Sequence, residues 1–330
     1  MVAIIQFSQV HRLRSTCLAT TKSDSVASMI AMPWTRLVKA LRTAKYSRKN
    51  VGDPAPPPAG LGNSIPYLRK QLVFPLLKEL RSMALQWISG RIARKHVWSD
   101  GLFTLFIRCP GVGQFESGQF LQVGLQLPEK HLHRPYSVAS PPGDTLEFFI
   151  VKVDEGELTP RLWALNEGDS IDVSEKATGG FTLSHTPVAE TIWLLATGTG
   201  LAPYIAMMRE DTIWQRHKSV VLVHGVRHAT DLAYQEELEQ IKTRFGNRFH
   251  SIPVVSRAEV PGAISGRITT AIENGSLESK AENALTPANS VVMMCGNPQM
   301  LDDVEALLKD RGMNRHKKSN PGHVIVERYW

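Results

Sequence analysis

The fold of the second half of the chain is indicated most clearly by the segment Thr191-Ile192-Trp193-Leu194-Leu195-Ala196-Thr197-Gly198-Thr199-Gly200-Leu201-Ala202-Pro203. Its first six residues form an apolar run, typical of a strand that is buried on both faces. Gly198 and Gly200 make the turn that follows, and a helix is predicted beyond them up to about Arg209. A strand that passes through glycines into a helix can hold a diphosphate against free backbone N–H groups. The spacing is Gly-x-Gly-x-x-Pro, so the standard Gly-x-Gly-x-x-Gly fingerprint of dinucleotide-binding folds is not met.

The rest of residues 186–330 repeats this alternation of apolar strands and helices. Strands that alternate with helices predict a parallel sheet joined by right-handed crossovers. Sheets of this kind bind ligands beyond the carboxyl ends of their strands. The predicted strands are Val220–His224, Ser251–Val255, Val291–Cys295 and Val324–Glu327, and the predicted helices are Asp231–Phe245, Arg267–Glu273 and Pro298–Lys309.

Polar and glycine residues stand where those strands end. Ser256 and Arg257 follow one strand directly, and Arg267 comes ten residues after Arg257. Two arginines and a serine in this place suit a ribose 2′-phosphate, which favours NADP over NAD. Each arginine taken alone is more often a solvated surface charge. Gly296 follows another strand and is expected to contribute to the same nucleotide site.

The preceding residues 83–185 show a different pattern, in which short strands are closely spaced. Turns rich in Gly, Pro and Asp separate these strands, and such a pattern predicts a small antiparallel β-barrel. One helix, Thr159–Leu165, interrupts them. The predicted strands are Gln86–His96, Leu102–Arg108, Phe120–Leu127, Tyr136–Ser140, Leu146–Val153 and Ser170–Ser174.

The tetrapeptide Arg134-Pro135-Tyr136-Ser137 lies inside this predicted barrel. Arginine can grip a diphosphate with its two-pronged guanidinium, and a strand places Arg134 and Tyr136 on the same face. Tyr136 can then stack on a planar ring while the Ser137 hydroxyl meets a ring nitrogen. By itself the tetrapeptide favours a simpler interpretation, an ordinary Arg–Tyr pair on a strand edge.

A second candidate segment is Gly156-Glu157-Leu158-Thr159, which precedes a helix predicted to start at Pro160. Thr159 is the expected N-cap, with Pro160 at the first helical position. Free N–H groups at such a helix start can bind a phosphate. Capping alone explains the same residues, so both interpretations stay open on local grounds.

The charge of the chain is divided unevenly along its length. Residues 1–82 hold 13 Lys and Arg but only three acidic residues, whereas residues 83–330 hold 25 Lys and Arg against 28 acidic residues. The excess positive charge therefore belongs to a basic N-terminal extension, which we expect to be poorly ordered. It resembles an organelle transit peptide, or a segment that lies on an anionic membrane surface. A disordered tail or a wrongly assigned start of translation is the simpler explanation, and Met83 is a possible alternative start.

Composition excludes several other classes of protein. The 330 residues are 42% hydrophobic and 21% charged, which fits a globular chain of about two domains. Three cysteines are too few for a disulfide framework or a four-cysteine metal site, and they indicate a reducing compartment. No apolar run has the length of a membrane span, roughly 18–20 residues. His131 and His133 lack further ligands nearby, so no metal site is predicted.

In order and spacing, these motifs together resemble the ferredoxin–NADP reductase family, in particular its bacterial flavodoxin/ferredoxin–NADP reductase branch. The resemblance covers Met83–Trp330, about three quarters of the chain. It implies an FAD-binding β-barrel domain at 83–185 and an NADP-binding α/β domain at 186–330. The segments that carry it are Arg134–Ser137, Gly156–Thr159, Thr197–Pro203, Cys295–Met300 and Glu327–Trp330.

The resemblance also implies roles for individual residues. Ser137, Cys295 and Glu327 would be catalytic, with Cys295 beside the incoming nicotinamide. The flavin would contact Arg134, Pro135, Tyr136, Ser137, Phe149, Glu157, Leu158, Thr159, Thr199, Tyr329 and Trp330. NADP would contact Gly198, Gly200, Arg227, Ser256, Arg257, Arg267, Cys295 and Gly296. Phe149 stands where close relatives often have Tyr.

The expected activity follows from the same resemblance. It is the exchange of a hydride with NADP(H) and of single electrons with a small acidic ferredoxin or flavodoxin, through bound FAD. The expected enzyme is a monomer in the bacterial cytoplasm, or in an organelle matrix if the extension is a transit peptide, and no nucleic acid is expected as partner. The alternatives are the reductase component of an oxygenase chain and a redox-inert flavin-binding module tethered by the extension.

Overall fold

A computed structural model describes residues 85–328. The basic extension predicted at 1–82 and the predicted flavin contacts Tyr329 and Trp330 lie outside the described residues. Within the described part, no helix is long and apolar enough to cross a bilayer.

The first half of this part is an antiparallel sheet. Its elements are β1 (Trp87–Ser99), β2 (Leu102–Arg108), β3 (Phe120–Gln126), β4 (His131–Ser137), β5 (Thr145–Val151), α1 (Thr159–Ala164) and β6 (Ser170–Ser174). The strand order is β4-β3-β6-β1-β2-β5. Just beyond β4, the Ala139 N–H donates to the Glu147 carbonyl on β5 (2.8 Å), so the two edge strands approach each other. The predicted antiparallel fold of this half is thus confirmed.

The second half is a parallel sheet with helices between its strands. The strands are β7 (Thr191–Thr197), β8 (Ser219–Val226), β9 (Phe249–Val255), β10 (Ile264–Ser265), β11 (Ser290–Gly296) and β12 (Val324–Arg328). The helices are α2 (Ala202–Arg209), α3 (Asp211–Arg216), α4 (Gln235–Phe245), α5 (Ile268–Glu273), α6 (Ser276–Ala281) and α7 (Pro298–Asp310). The strand order is β10-β9-β8-β7-β11-β12, and the predicted parallel sheet is confirmed.

The apolar run on β7 is buried on both faces of the sheet. Ile192 and Leu194 pack into the core on one side, while Trp193 and Leu195 pack into the core on the other. This alternation follows from the two-residue period of a strand, and it explains why the run is continuously apolar.

The strand predicted at Tyr136–Ser140 is wrong in its bounds, because β4 runs from His131 to Ser137. It pairs with β3 from His131 opposite Gln126 to Ser137 opposite Phe120. Proline has no backbone N–H and is therefore unusual in an interior strand, so Pro135 argues against a strand at this position of the sequence. β4 is an edge strand, where one side needs no partner, so proline is tolerated.

The helix predicted at Asp231–Phe245 begins later than expected, at Gln235. Tyr234 interrupts it with a left-handed backbone (φ +61°), which a bulky residue rarely adopts. The Tyr234 hydroxyl is 3.0 Å from the Thr104 hydroxyl on β2, in the other sheet. Packing between the sheets therefore fixes this turn.

Candidate active site

Three residues predicted to be catalytic lie near the carboxyl ends of strands from both sheets. Ser137 ends β4, while Cys295 and Glu327 lie opposite each other in the register of β11 and β12. The Ser137 hydroxyl donates to the Glu327 carboxylate, with 3.2 Å between Oγ and Oε2. This bond joins residues 190 positions apart, so the meeting of the two sheets creates the pair.

Burial changes the acidity of this carboxyl group. Loss of solvent raises the pKa of Glu327 from 4.5 to about 7, while the hydrogen bond from Ser137 acts in the opposite direction. Burial dominates because one hydrogen bond does not replace the hydration of a carboxylate. Glu327 can therefore hold or release a proton near neutral pH.

Two glycines bring the backbone loops of this region into close contact. A Cβ on Gly200 would overlap the Cys295 carbonyl, so only glycine fits at this position. Gly296 has φ +134° and passes so close to Thr197 that a Cβ would overlap the Thr197 hydroxyl. The Asn297 N–H donates to that hydroxyl (2.7 Å), so the loops after β7 and β11 are tied together.

The residues predicted to bind flavin on β4 are placed as the strand period requires. Arg134 and Tyr136 share one face of β4; Arg134 and Pro135 are exposed and Tyr136 is partly buried. Burial raises the pKa of Tyr136 to about 12, so its hydroxyl stays protonated. The Arg134 guanidinium donates one bond to the His133 carbonyl (2.7 Å), and its other N–H groups remain for an anion.

The segment at the start of α1 differs from its predicted capping pattern. Leu158 is the N-cap, and Thr159 is already in the helix. The Thr159 hydroxyl accepts instead from the Val153 N–H (2.8 Å), which fastens the preceding loop. Glu157 is exposed and pairs with Lys130 (2.8 Å), whereas Leu158 is buried in the core.

Phe149 is buried where the two sheets pack together. Its side chain is 3% exposed and packs edge-on against Tyr234, with 5.3 Å between ring centroids. Phe149 therefore contributes to the packing between the sheets, and its contact with flavin stays a prediction.

A cleft of about 1320 Å³ opens at the carboxyl edge of the parallel sheet. Asp100, Lys152 and Val153 from the antiparallel half form part of its wall. Gly200 and Cys295 do not line it and are buried beside it. The residues predicted to contact NADP that line the cleft are Gly198, Arg227, Ser256, Arg257, Arg267 and Gly296. Thr199, predicted to contact flavin, lines it too.

Backbone hydrogen bonds join the loop after β8, which carries Arg227, to the loop after β9, which carries Arg257. The Arg257 N–H donates to the Arg227 carbonyl (3.0 Å), and both the N–H and hydroxyl of Ser256 donate to the Val226 carbonyl. The His228 N–H donates to Asp231 (3.1 Å), which closes the turn after Arg227. The exposed guanidinium groups therefore extend from a fixed frame.

Sequence reasoning missed several residues of this site. Thr197 and Asn297 tie the two glycine loops together, and Asp231 closes the arginine-bearing turn. Thr197 and Asn297 lie in segments that carry the family resemblance, but the sequence gives none of the three an individual role. Outside the site, the ring of the strand residue His131 is hydrogen-bonded to Asp172 (2.9 Å).

Comparison with known proteins defines the class to which this fold and site belong. The family model described as "Oxidoreductase NAD-binding domain" matches residues 194–306. The flavodoxin/ferredoxin–NADP reductase of Escherichia coli (strain K12) is 40% identical over 246 residues, which are 74% of this chain and 99% of the relative. The ferredoxin–NADP reductase of Pseudomonas aeruginosa is 36% identical over 251 residues, or 72% of this chain and 95% of the relative.

A solved structure agrees with these relatives. The ferredoxin NADP⁺ reductase of Neisseria gonorrhoeae, crystallised with bound FAD and NADP, is 30% identical, with a TM-score of 0.71 over 75% of this chain and all of that one. The fold and these matches define an oxidoreductase. More narrowly, the chain belongs to the flavodoxin/ferredoxin–NADP reductase family.

Proposed function

We propose that this chain is an FAD-dependent ferredoxin/flavodoxin–NADP⁺ reductase, which exchanges a hydride with NADP(H) and single electrons with a small acidic ferredoxin or flavodoxin. The observation that carries the proposal is the Ser137–Glu327 hydrogen bond at the meeting of the two sheets, beside the cleft lined by arginines. A single chain supplies both halves of this site, so the proposed functional unit is a monomer.

The residues of the antiparallel half fit FAD. Arg134 offers exposed N–H donors that suit a diphosphate, and Tyr136 offers a neutral ring that suits stacking on a planar heterocycle. Ser137 places a buried hydroxyl next to them. We therefore assign FAD binding to residues 83–185, with Thr199 and the terminal aromatic pair contributing from the other half.

The cleft of the parallel half fits NADP(H). Three exposed arginines and Ser256 gather on loops joined by backbone hydrogen bonds, a donor set that suits a 2′-phosphate. Gly198 and Gly296 line the cleft on the side nearer Cys295, where small residues let a diphosphate approach the backbone. We assign NADP(H) binding to residues 186–330.

Bound FAD supplies the chemistry of conversion, since a flavin accepts a hydride and passes on single electrons. The chain positions the reactants and controls protons. The Ser137 hydroxyl orients the reacting ring, and Cys295 at the end of β11 orients the incoming nicotinamide. Glu327, with its pKa of about 7, holds a proton at its carboxylate or releases it through Ser137.

Electron transfer from NADPH to a one-electron carrier tests this proposal. The purified protein is mixed with NADPH and either an oxidised ferredoxin or an oxidised flavodoxin, and reduction of the carrier is followed by absorbance. We expect turnover that falls steeply as salt rises, because an acidic carrier docks through charge. If the protein reduces neither carrier, or if the rate of reduction does not depend on salt, the assigned partner class is wrong.

A further inference from the structure

His224 is a buried histidine placed directly behind the glycine loop. It lies on β8, 2% exposed, between Ala196 of β7 and Pro253 of β9. Its Nε2 is 3.0 Å from the Gly198 carbonyl oxygen, in the loop that follows β7. A core histidine thus contacts a residue that lines the cleft.

The hydrogen bond fixes the tautomer of this ring. A carbonyl oxygen only accepts hydrogen bonds, so Nε2 must carry the hydrogen. The buried Nδ1 has no partner among the described residues, as suits a bare ring nitrogen. Burial lowers the pKa of His224 to about 4, so the ring is neutral at physiological pH and has one N–H to donate.

Together with the 3₁₀ turn at Gly198–Leu201, that bond orients the next peptide group of the loop. All peptide bonds of the described chain are trans, so the Gly198 carbonyl and the Thr199 N–H point in opposite directions. With the carbonyl directed inward at His224, the Thr199 N–H is directed away from the buried ring. Gly198 has φ +52°, is exposed and has no side chain, so its peptide is held by backbone contacts rather than by packing.

We propose that His224 is a positioning residue, which turns the Gly198–Thr199 peptide so that its N–H receives the diphosphate of a pyridine nucleotide. The inference rests on the proposed function, because it takes the cleft to be the nucleotide site. It assigns His224 to the diphosphate part of the ligand and leaves the 2′-phosphate to the arginines.

A matched pair of buried histidines makes the proposal testable. His217 is also 2% exposed and also contacts one backbone carbonyl, through Nδ1 to Ala189 (2.8 Å), but it lies just before the amino end of β8. His217→Leu removes the same kind of bond away from the cleft. His224→Leu removes the bond behind the loop, and His224→Gln keeps an amide N–H near the Nε2 position.

Calorimetry on the FAD-loaded variants measures the dissociation constants of NADP⁺ and of adenosine 2′-phosphate, which lacks the diphosphate. We expect His224→Leu to weaken NADP⁺ binding by about tenfold, a typical effect of one hydrogen bond, and adenosine 2′-phosphate by less than about twofold. His224→Gln and His217→Leu should stay within about threefold of the wild type for both ligands. Equal weakening of both ligands by His224→Leu, or of neither, overturns the proposal.

The wild-type protein gives a second test that needs no folded variant. Long-range proton–nitrogen NMR should find the Nε2–H tautomer at His224, with a proton shift that changes on adding NADP⁺ and not on adding adenosine 2′-phosphate. An Nδ1–H tautomer, or a shift that ignores NADP⁺, overturns the proposal. If neither ligand binds the wild type, it is the proposed function that fails.

Discussion

Removal of the Ser137 hydroxyl alone should slow catalysis. We expect Ser137→Ala to slow reduction of the bound flavin by NADPH by about 10- to 1000-fold, because a positioned group is lost from the reacting centre. Stopped-flow absorbance measures that rate. The matched control is Ser140→Ala, whose hydroxyl accepts only from the Glu147 N–H (3.2 Å) and should leave the rate unchanged. An unchanged rate in Ser137→Ala would remove Ser137 from the mechanism.

The partly buried carboxyl of Glu327 makes stability depend on pH. Its pKa is about 7 in the folded chain against an ordinary 4.5, so between these values the folded state binds the proton more tightly. The free energy of unfolding contributed by this group therefore falls as pH rises through that window. In Glu327→Gln, the free energy of unfolding should fall less steeply with pH, by a slope that corresponds to at most about one bound proton. Urea denaturation across the window measures this slope.

A surface carboxylate provides the control for this pH dependence. The hydrogen bond from Arg328 lowers the pKa of Asp302, so Asp302 stays ionised across the same window. Asp302→Asn should leave the slope of stability against pH as in the wild type. An unaltered slope in Glu327→Gln would show that Glu327 does not titrate there.

The arginines of the cleft should determine the choice of nucleotide. We expect Arg257→Ala and Arg267→Ala each to lower kcat/KM for NADPH by about 10- to 100-fold and to leave that for NADH nearly unchanged, since only NADPH has the 2′-phosphate. Arg244→Ala, which removes an exposed arginine paired with Asp211, serves as control. If both cleft variants keep the wild-type preference for NADPH, the 2′-phosphate lies elsewhere.

For single residues, the sequence indicates candidates for the site but not the surroundings of their side chains. Arg134, Tyr136 and Ser137 were recognisable because they are adjacent in the chain. The contact between Ser137 and Glu327 was not, because it depends on how two separate sheets meet. The pKa of Glu327 follows from that burial, and the packing of Phe149 on Tyr234 also depends on contacts across the sheets.

Among the structural elements, the glycine loop after β7 depends on one close approach. Gly200→Ala should lower the free energy of unfolding by about 1–3 kcal/mol, because a Cβ would overlap the Cys295 carbonyl and the backbone must shift. Chemical denaturation measures this. Gly143→Ala is the control, since no atom lies within 4 Å of its Cβ position, and its stability should stay within about 0.5 kcal/mol of wild type. Equal stability of the two variants would contradict the close approach.

The elements that sequence predicted well are those with a strong apolar period. β7 and β11 were visible because both of their faces are buried. The errors arose where tertiary contacts override local preference: Pro135 inside the edge strand β4, and Tyr234 held in a left-handed turn before α4 by its contact with Thr104. Neither position carries a signal that a single sequence could supply.

For the molecule as a whole, one arginine links the two sheets. Arg209 of α2 bonds Glu147 of β5 (2.8 Å), Glu237 of α4 (2.6 Å) and the Ala139 carbonyl (3.1 Å). Arg209→Met would leave two partly buried carboxylates facing each other, so we expect it to lower the free energy of unfolding by about 2–4 kcal/mol.

The control for Arg209 is an ion pair on the surface. Lys218 and Glu190 are 80% and 59% exposed, and such a pair contributes at most about 1 kcal/mol. Lys218→Met should therefore leave the denaturation midpoint almost unchanged. If Arg209→Met costs no more than Lys218→Met, the arginine does not join the two sheets energetically.

Coupling of bound FAD to NADP(H) within this chain can be measured by an anaerobic titration of the purified protein with each pyridine nucleotide. We predict that the purified protein shows the visible absorption of oxidised flavin. About one equivalent of NADPH should bleach this absorption, and NADH should hardly change it. If the protein lacks flavin absorption, or if its flavin stays oxidised in NADPH, the chain does not couple FAD to NADP(H). Equal bleaching by NADH would contradict the nucleotide assignment.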